Sequence, residues 1–274
     1  MEAVQPSTPH HLKQAFKSAE EGTRHQTNPI QVAARIDNGS RIIANRMQET
    51  HQNVFITGGT GYIGSRLIPR LRARGHTVRA LVRRGSEAKL PPNCEAVVGN
   101  ALDANSYRDA VKPSKTLIQL VGVAHPSPAK AAEFQRVDLV AGRQAVIAAQ
   151  SAGIHHFIYV SVAHPAPMMK AYIEVRTECE RLIRDSGMNA TILRPWYVLG
   201  PGHRWPYAIV PMYWLFESIP SLREGARRLG LVTLEQVLQV LTESVDHPCT
   251  GQRILGVPEI RRGTFDTAQV TVTA

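Results

Sequence analysis

A chain of 274 residues, 43% of them hydrophobic, has room for one large α/β domain, alone or with a small cap, and is too apolar for wholesale disorder. The formal net charge is +10 and aromatic residues make up 6%. The basic residues are scattered, with only the pairs Arg83-Arg84, Arg227-Arg228 and Arg261-Arg262 adjacent, which argues against a nucleic-acid partner. Three cysteines, Cys94, Cys179 and Cys249, stand far apart with no CxxC and no zinc-type Cys/His spacing. That usage predicts no metal site and a reducing, cytoplasmic setting. No run of about 18 apolar residues marks a membrane span, and the N-terminal residues carry no apolar core of a secretory signal.

Residues 1–50 are polar and mixed in charge, and read as an arm, disordered or loosely docked; a start site placed too early, with Met47 just ahead of the first strand, is the other option. From Asn53 the pattern alternates strand and helix. Asn53–Thr57 is a short buried strand, followed by a glycine-rich turn and a helix over about 62–74 that Pro69 should kink and Gly75 ends. Strands follow at 76–82 and 95–98, a short helix at 106–111, and a fourth strand at 116–121. A long helix over about 129–152 ends at Gly153, a fifth strand spans 156–161, a helix over about 171–186 ends at Gly187, and 190–193 is the sixth strand. This alternation predicts a Rossmann-type, doubly wound parallel sheet over 51–194. The proline- and aromatic-rich stretch after Arg194, a helix near 233–245 and a strand near 252–255 read as a small irregular C-terminal substrate cap over 195–262, with a mobile tail at 263–274.

The strongest local signal is Gly58, Gly61 and Gly64, a G-x-x-G-x-x-G between a predicted strand and a predicted helix, with Thr60, Tyr62 and Ile63 inside it. Glycine at the first position permits the sharp exit from the strand. At the second it lets a diphosphate approach the backbone, and at the third it lets helix and sheet pack closely. Unpaired N–H groups at the helix start then face an anion. A dinucleotide site that prefers NAD usually carries Asp or Glu about 20 residues on, to hold a ribose 2′-hydroxyl. Here the second strand ends in Arg83-Arg84, suited to a 2′-phosphate, so NADP is expected over NAD; the alternative is that both are ordinary loop charges. Asn100 and Ala101 follow the third strand, where an adenine edge would lie, and Asp103 reads as a helix cap.

The ordered set Thr57–Gly64, Gly99–Asp103, Leu120-Val121-Gly122, Tyr159-Val160-Ser161, Tyr172 with Arg176, and Leu193-Arg194-Pro195 resembles the short-chain dehydrogenase/reductase superfamily, in its extended or atypical branch. The resemblance implies NAD(P)-dependent oxidoreduction, epimerisation or dehydration of a small organic substrate, with a homodimer possible. It also implies cofactor contacts from Leu120, Val121, Gly122, Tyr172, Arg176 and Pro195, and a catalytic set of Tyr172, Arg176 and Ser161. The family pattern Tyr-x-x-x-Lys is met by Tyr172, but Arg176 replaces the lysine. Four residues apart on one helix, the two share a face. A cation beside a tyrosine favours tyrosinate, and Arg176 can supply that charge, yet it cannot readily release a proton. The alternatives are a packing Tyr172 with Arg176 paired to Glu180 at the surface, and Ser161 as a strand-end turn residue. An NADP(H)-binding sensor or assembly protein with little catalysis is therefore the competing function. Trp196 and Tyr197 fit a pocket lining or core packing, Arg204, Trp205 and Tyr207 are further substrate candidates, and His125 and His164, in loops after the fourth and fifth strands beside the expected cleft, read as exposed loop histidines, with action on substrate as the alternative.

Overall fold

A computed structural model describes residues 51–202 and 229–263. The expectations for the arm at 1–50, for Arg204, Trp205, Tyr207 and Arg227-Arg228, and for the tail from 264 lie outside the described residues.

The strands are β1 (Asn53–Thr57), β2 (Thr77–Val82), β3 (Glu95–Val98), β4 (Thr116–Gln119), β5 (His156–Val160), β6 (Ala190–Leu193) and β9 (Gln252–Leu255), with a separate pair β7 (Tyr197–Leu199) and β8 (Leu231–Thr233). The helices are α1 (Gly64–Ala73), α2 (Arg108–Val111), α3 (Ala131–Glu133), α4 (Val140–Ala152), α5 (Lys170–Asp185), α6 (Leu234–Asp246) and α7 (Val257–Arg262). The main sheet has seven strands in the order β3-β2-β1-β4-β5-β6-β9, each paired parallel to its neighbours. This is the expected doubly wound Rossmann arrangement, in which the order reverses between β1 and β4 and leaves a crevice at the strands' carboxyl ends.

Strand periodicity separates two cores. Val54 and Ile56 of β1 join Leu67, Ile68 and Leu71 of α1 and Val237, Leu238 and Leu241 of α6 on one face. Phe55 turns to the other face, with Phe157 and Tyr159 of β5, Ala145 and Ala149 of α4, and Cys179 and Ile183 of α5. Both faces are covered, so strand residues of both parities are apolar, as in parallel sheets generally.

Three local features were not expected. Helix α1 runs through Pro69 without a break, the proline standing exposed on the outer side. Between α3 and α4 the residues Phe134–Leu139 form a π-helical turn inside what read as one regular helix. The C-terminal residues are also more integrated than a cap: β9 extends the main sheet beside β6, and α6 packs on α1 with Thr233 and Gln236 closing a capping box.

Candidate functional site

The turn after β1 is shaped by close approach. Gly58 has φ +74°, open to glycine at no steric cost, and a Cβ there would lie 2.9 Å from the Leu120 carbonyl carbon. A Cβ on Gly64 would collide with the Gly58 carbonyl oxygen. The turn is closed by Gly61 N–H donating to Gly58 O at 3.0 Å. Helix α1 then begins without a side-chain cap and without an acidic residue in its first turn. Its uncapped N-terminal N–H groups, in a cradle that side chains would fill, fit the chemistry of a dinucleotide diphosphate. Thr60 and Gly61 are exposed, Tyr62 and Ile63 partly so, and the Arg66 guanidinium lies over the Tyr62 ring, 4.5 Å from its centroid.

Arg83 and Arg84 follow β2 directly, both exposed, and form no ion pair among the described residues. Asn100 turns its side-chain oxygen back to Leu102 N–H at 3.0 Å, in a short loop that Ser106 also closes. Ala101 is half-buried beside it. Asp103 accepts from Asn105 N–H at 3.1 Å and caps the 3-10 turn at Ala104–Ser106.

Past β4 the chain runs Leu120-Val121-Gly122 along the carboxyl edge, and Gly122 has no side chain because the Arg176 guanidinium occupies that space. Arg176 is buried and well bonded. It donates to Asp138 Oδ1 at 2.6 Å, to Val160 O at 3.0 Å and to Tyr159 Oη at 3.2 Å. Asp138, 1% exposed, comes from the π-helical turn and also accepts from Val123 N–H at 2.9 Å. Burial works against the charge on Arg176, but Tyr159, Tyr172 and Asp138 around it hold the guanidinium well above the usual arginine range. Burial pushes the Asp138 carboxyl up, opposed by Arg176 and the Val123 N–H. The guanidinium at 2.6 Å favours the ionised form of the pair.

Tyr172, in the first turn of α5, is half-buried. Its ring lies 4.9 Å from the Phe134 ring on one side and 4.9 Å from the Arg176 guanidinium carbon on another. The cation thus faces the ring rather than forming a hydrogen bond to the hydroxyl. Tyr172 and Arg176 do meet, as their spacing requires, but the surface pairing of Arg176 with Glu180 is not what forms. Both are buried and each takes another partner.

Glu180, 1% exposed, sits one turn further along α5. Its Oε1 accepts from Ser161 Oγ at 2.5 Å and from Arg194 Nε at 3.0 Å, and Oε2 accepts a second bond from Arg194. His164 Nε2 lies 3.6 Å from Oε1. Burial would raise the Glu180 carboxyl, but His164, Arg194 and Ser161 outweigh it and bring it down to about 2. The Ser161 hydroxyl is thus taken up by a buried bond to Glu180. The residues after β5 and β6 are tied together by Ala163 N–H donating to Pro195 O at 2.9 Å, with Pro195 buried. Trp196 and Tyr197 meet edge to face at 5.5 Å, with Trp196 packed on the α1 side of the core. His125 is exposed with φ +50°. Asp138 was missed in the sequence, and Glu180 was read there only as a surface partner of Arg176. Their signal was a carboxylate at a core-facing position of a helix, which needs a buried partner.

No group of three or more His, Cys, Asp or Glu that could hold a metal occurs among the described residues, and no described helix is long and apolar enough to cross a membrane. The family described as NAD(P)H-binding matches residues 58–209. The chain is 31% identical over 175 residues to the 3-diazoavenalumate denitrifying reductase of a Streptomyces species, covering 54% of this chain and 57% of that protein. It is 24% identical over 219 residues to the ceramide reductase of Caulobacter vibrioides, covering 79% of this chain and 68% of that one. A short-chain dehydrogenase/reductase superfamily protein from Agrobacterium tumefaciens with bound NAD shares the fold, with TM-score 0.55, 20% identity and coverage of 74% of this chain and 77% of that one.

Proposed function

The chain belongs to the NAD(P)H-binding family, and we propose that it is an NADP(H)-dependent oxidoreductase acting on a small organic substrate, with Tyr172 as the acid or base at the substrate oxygen. One observation carries this: a continuous line of close contacts. Gly58 of the anion cradle abuts Leu120 and Val121, Gly122 abuts the Arg176 guanidinium, and Arg176 lies against the Tyr172 ring. A dinucleotide with its diphosphate held at Gly58–Gly64 would have Leu120–Gly122, Arg176 and Tyr172 as the residues available to its reactive end. The two relatives described above are named as reductases, which supports the same class.

The cofactor's chemistry, when bound, is to give or take a hydride. Everything else falls to the chain. The N-terminus of α1 and the Gly58–Gly64 backbone hold the diphosphate. Arg83 and Arg84 hold the 2′-phosphate, Asn100 and Ala101 border the adenine, and Pro195 with Leu120–Gly122 walls the nicotinamide end. Tyr172 gives a proton to the substrate oxygen in the reductive direction and takes it back in the oxidative one. Arg176 is a fixed cation whose charge Asp138 balances, and Ser161 holds Glu180 in place.

The test is a titration of NADPH and NADH, followed by turnover of a carbonyl panel in wild type and Tyr172→Phe. NADPH binds about tenfold more tightly, a preference lost when Arg83 and Arg84 are both replaced by Ala. Tyr172→Phe abolishes turnover and leaves NADPH affinity unchanged. Equal affinity for NADH overturns the NADP assignment, and full turnover in Tyr172→Phe overturns the role of Tyr172. A second function, a sensor that binds NADP(H) with little catalysis, is favoured by the balanced, immobile Arg176–Asp138 pair. Its mark is a cofactor-dependent rise in melting temperature with no turnover of any substrate.

A further inference from the structure

Reaction at neutral pH on an oxidoreductase of this kind moves a proton between the substrate and solvent. Arg176, where the family pattern has lysine, does not release one: it is held well above the usual arginine range and bonded to three acceptors. We propose that His164 carries this proton, with Glu180 as its positioning residue. This deepens the oxidoreductase function proposed above and rests on it.

The geometry is that of an imidazole backed by a carboxylate. Glu180 is fixed on α5 by Ser161 and by two bonds from Arg194, so its Oε1 has one orientation. His164 Nε2 faces that oxygen at 3.6 Å and is buried without a closer partner, while the ring remains 20% exposed. One nitrogen thus faces the carboxylate and the ring reaches outward. The loop that carries it, Ser161–His164, leaves the carboxyl end of β5 and is tied to Pro195 past β6. That is the sheet edge where Gly122 and Tyr172 also stand. Among the described residues, the charged groups facing His164 are Glu180 from α5 and, through the same carboxylate, Arg194 from the end of β6; Ser161 from its own loop is neutral. In the reductive direction Tyr172 gives its phenolic proton to the substrate oxygen, the tyrosinate regains one across the cleft water from the imidazolium of His164, and neutral His164 takes one from solvent. Every proton is accounted for, and the electron pair moves only with the hydride.

The experiment follows the His164 ring by NMR, assigned among the eleven histidines by comparison with His164→Asn. It is paired with turnover of phenanthrenequinone as the carbonyl probe. The titration midpoint of His164 falls in Glu180→Gln. In wild type it differs between the NADP+ and NADPH complexes. His164→Asn lowers kcat about a hundredfold, leaves KM and NADPH affinity nearly unchanged, and removes one limb of the pH–rate profile. An unchanged kcat and pH profile in His164→Asn, or a midpoint indifferent to the cofactor's redox state while NADPH binds normally, overturns the role of His164 alone. Failure of wild type to bind either cofactor overturns the oxidoreductase function on which it rests.

Discussion

Replacing Asp138 by Ala leaves the Arg176 guanidinium buried without its counter-ion. Asp138 is 1% and Arg176 6% exposed, and Oδ1 to guanidinium nitrogen is 2.6 Å, so water does not readily take the place of the lost carboxylate. Breaking a buried pair from one side costs about 3–5 kcal/mol. The Val123 N–H also loses its acceptor, within the same range. In urea this moves the unfolding midpoint down by roughly 1–2 M. Removing both charges tests the cause. Asp138→Leu with Arg176→Met takes away the charge and its partner together, and stays within about 2 kcal/mol of wild type despite the bonds lost at Tyr159 Oη and Val160 O. The two singles then sum to far more than the double, a coupling read from the cycle. A loss below about 1 kcal/mol in Asp138→Ala, or a double variant as unstable as the sum of the singles, would refute the buried ion pair.

Gly64→Ala places a methyl group on the Gly58 carbonyl oxygen; it is expected to cost about 1–3 kcal/mol and to weaken NADPH binding more than tenfold, read by fluorescence titration. Glu180 has its carboxyl lowered from 4.5 to about 2, so its stabilisation is complete above 4.5 and is lost as pH falls toward 2. About 2 kcal/mol is gone near pH 3, and Glu180→Gln flattens that part of the urea-midpoint profile. His156 is fully buried, and burial with the nearby Arg253 lowers it from 6.5 to about 3. Its neutral form in the folded state favours folding fully above 6.5, and about 2 kcal/mol is lost between about pH 7 and pH 5 as the unfolded chain takes up the proton. His156→Gln removes the slope between about pH 6.5 and 4.5 and leaves the Glu180 slope, the two windows overlapping only between about 4.5 and 3.

The frame of the fold was legible because its signals are local. Runs such as Asn53–Thr57 and Ala190–Leu193 are short, apolar and bounded by turns, and the structure places strands on those same residues. The glycine turn was legible for the same reason: its spacing is set by one strand exit and one helix start. What was not legible depends on sequence-distant neighbours or on small changes of helical pitch. Nothing in Phe134–Leu139 announces a π-helical turn, since the segment holds no Gly or Pro, yet that turn delivers Asp138. The seventh strand in the main sheet, at Gln252–Leu255, was visible as a strand, but its place beside β6 is a tertiary fact.

The arginine at position 176 shows how far a single position can be read. Its identity says that proton release is lost and charge kept. Where that charge acts depends on Asp138, 38 residues earlier, which fixes the guanidinium under Gly122 and against the Tyr172 ring. A balanced charge held over a ring face does less to favour tyrosinate than an unbalanced one beside the hydroxyl. The lysine of the family pattern would combine a cation with a releasable proton in one side chain. Here the cation is locked into the core by three bonds, and the titratable ring at the same sheet edge, His164, is backed by a different carboxylate. Separation of the two roles is what the packing of α5 imposes: Arg176 and Glu180 are one turn apart on its buried face, and each has drawn a different set of partners from the strand ends beneath it.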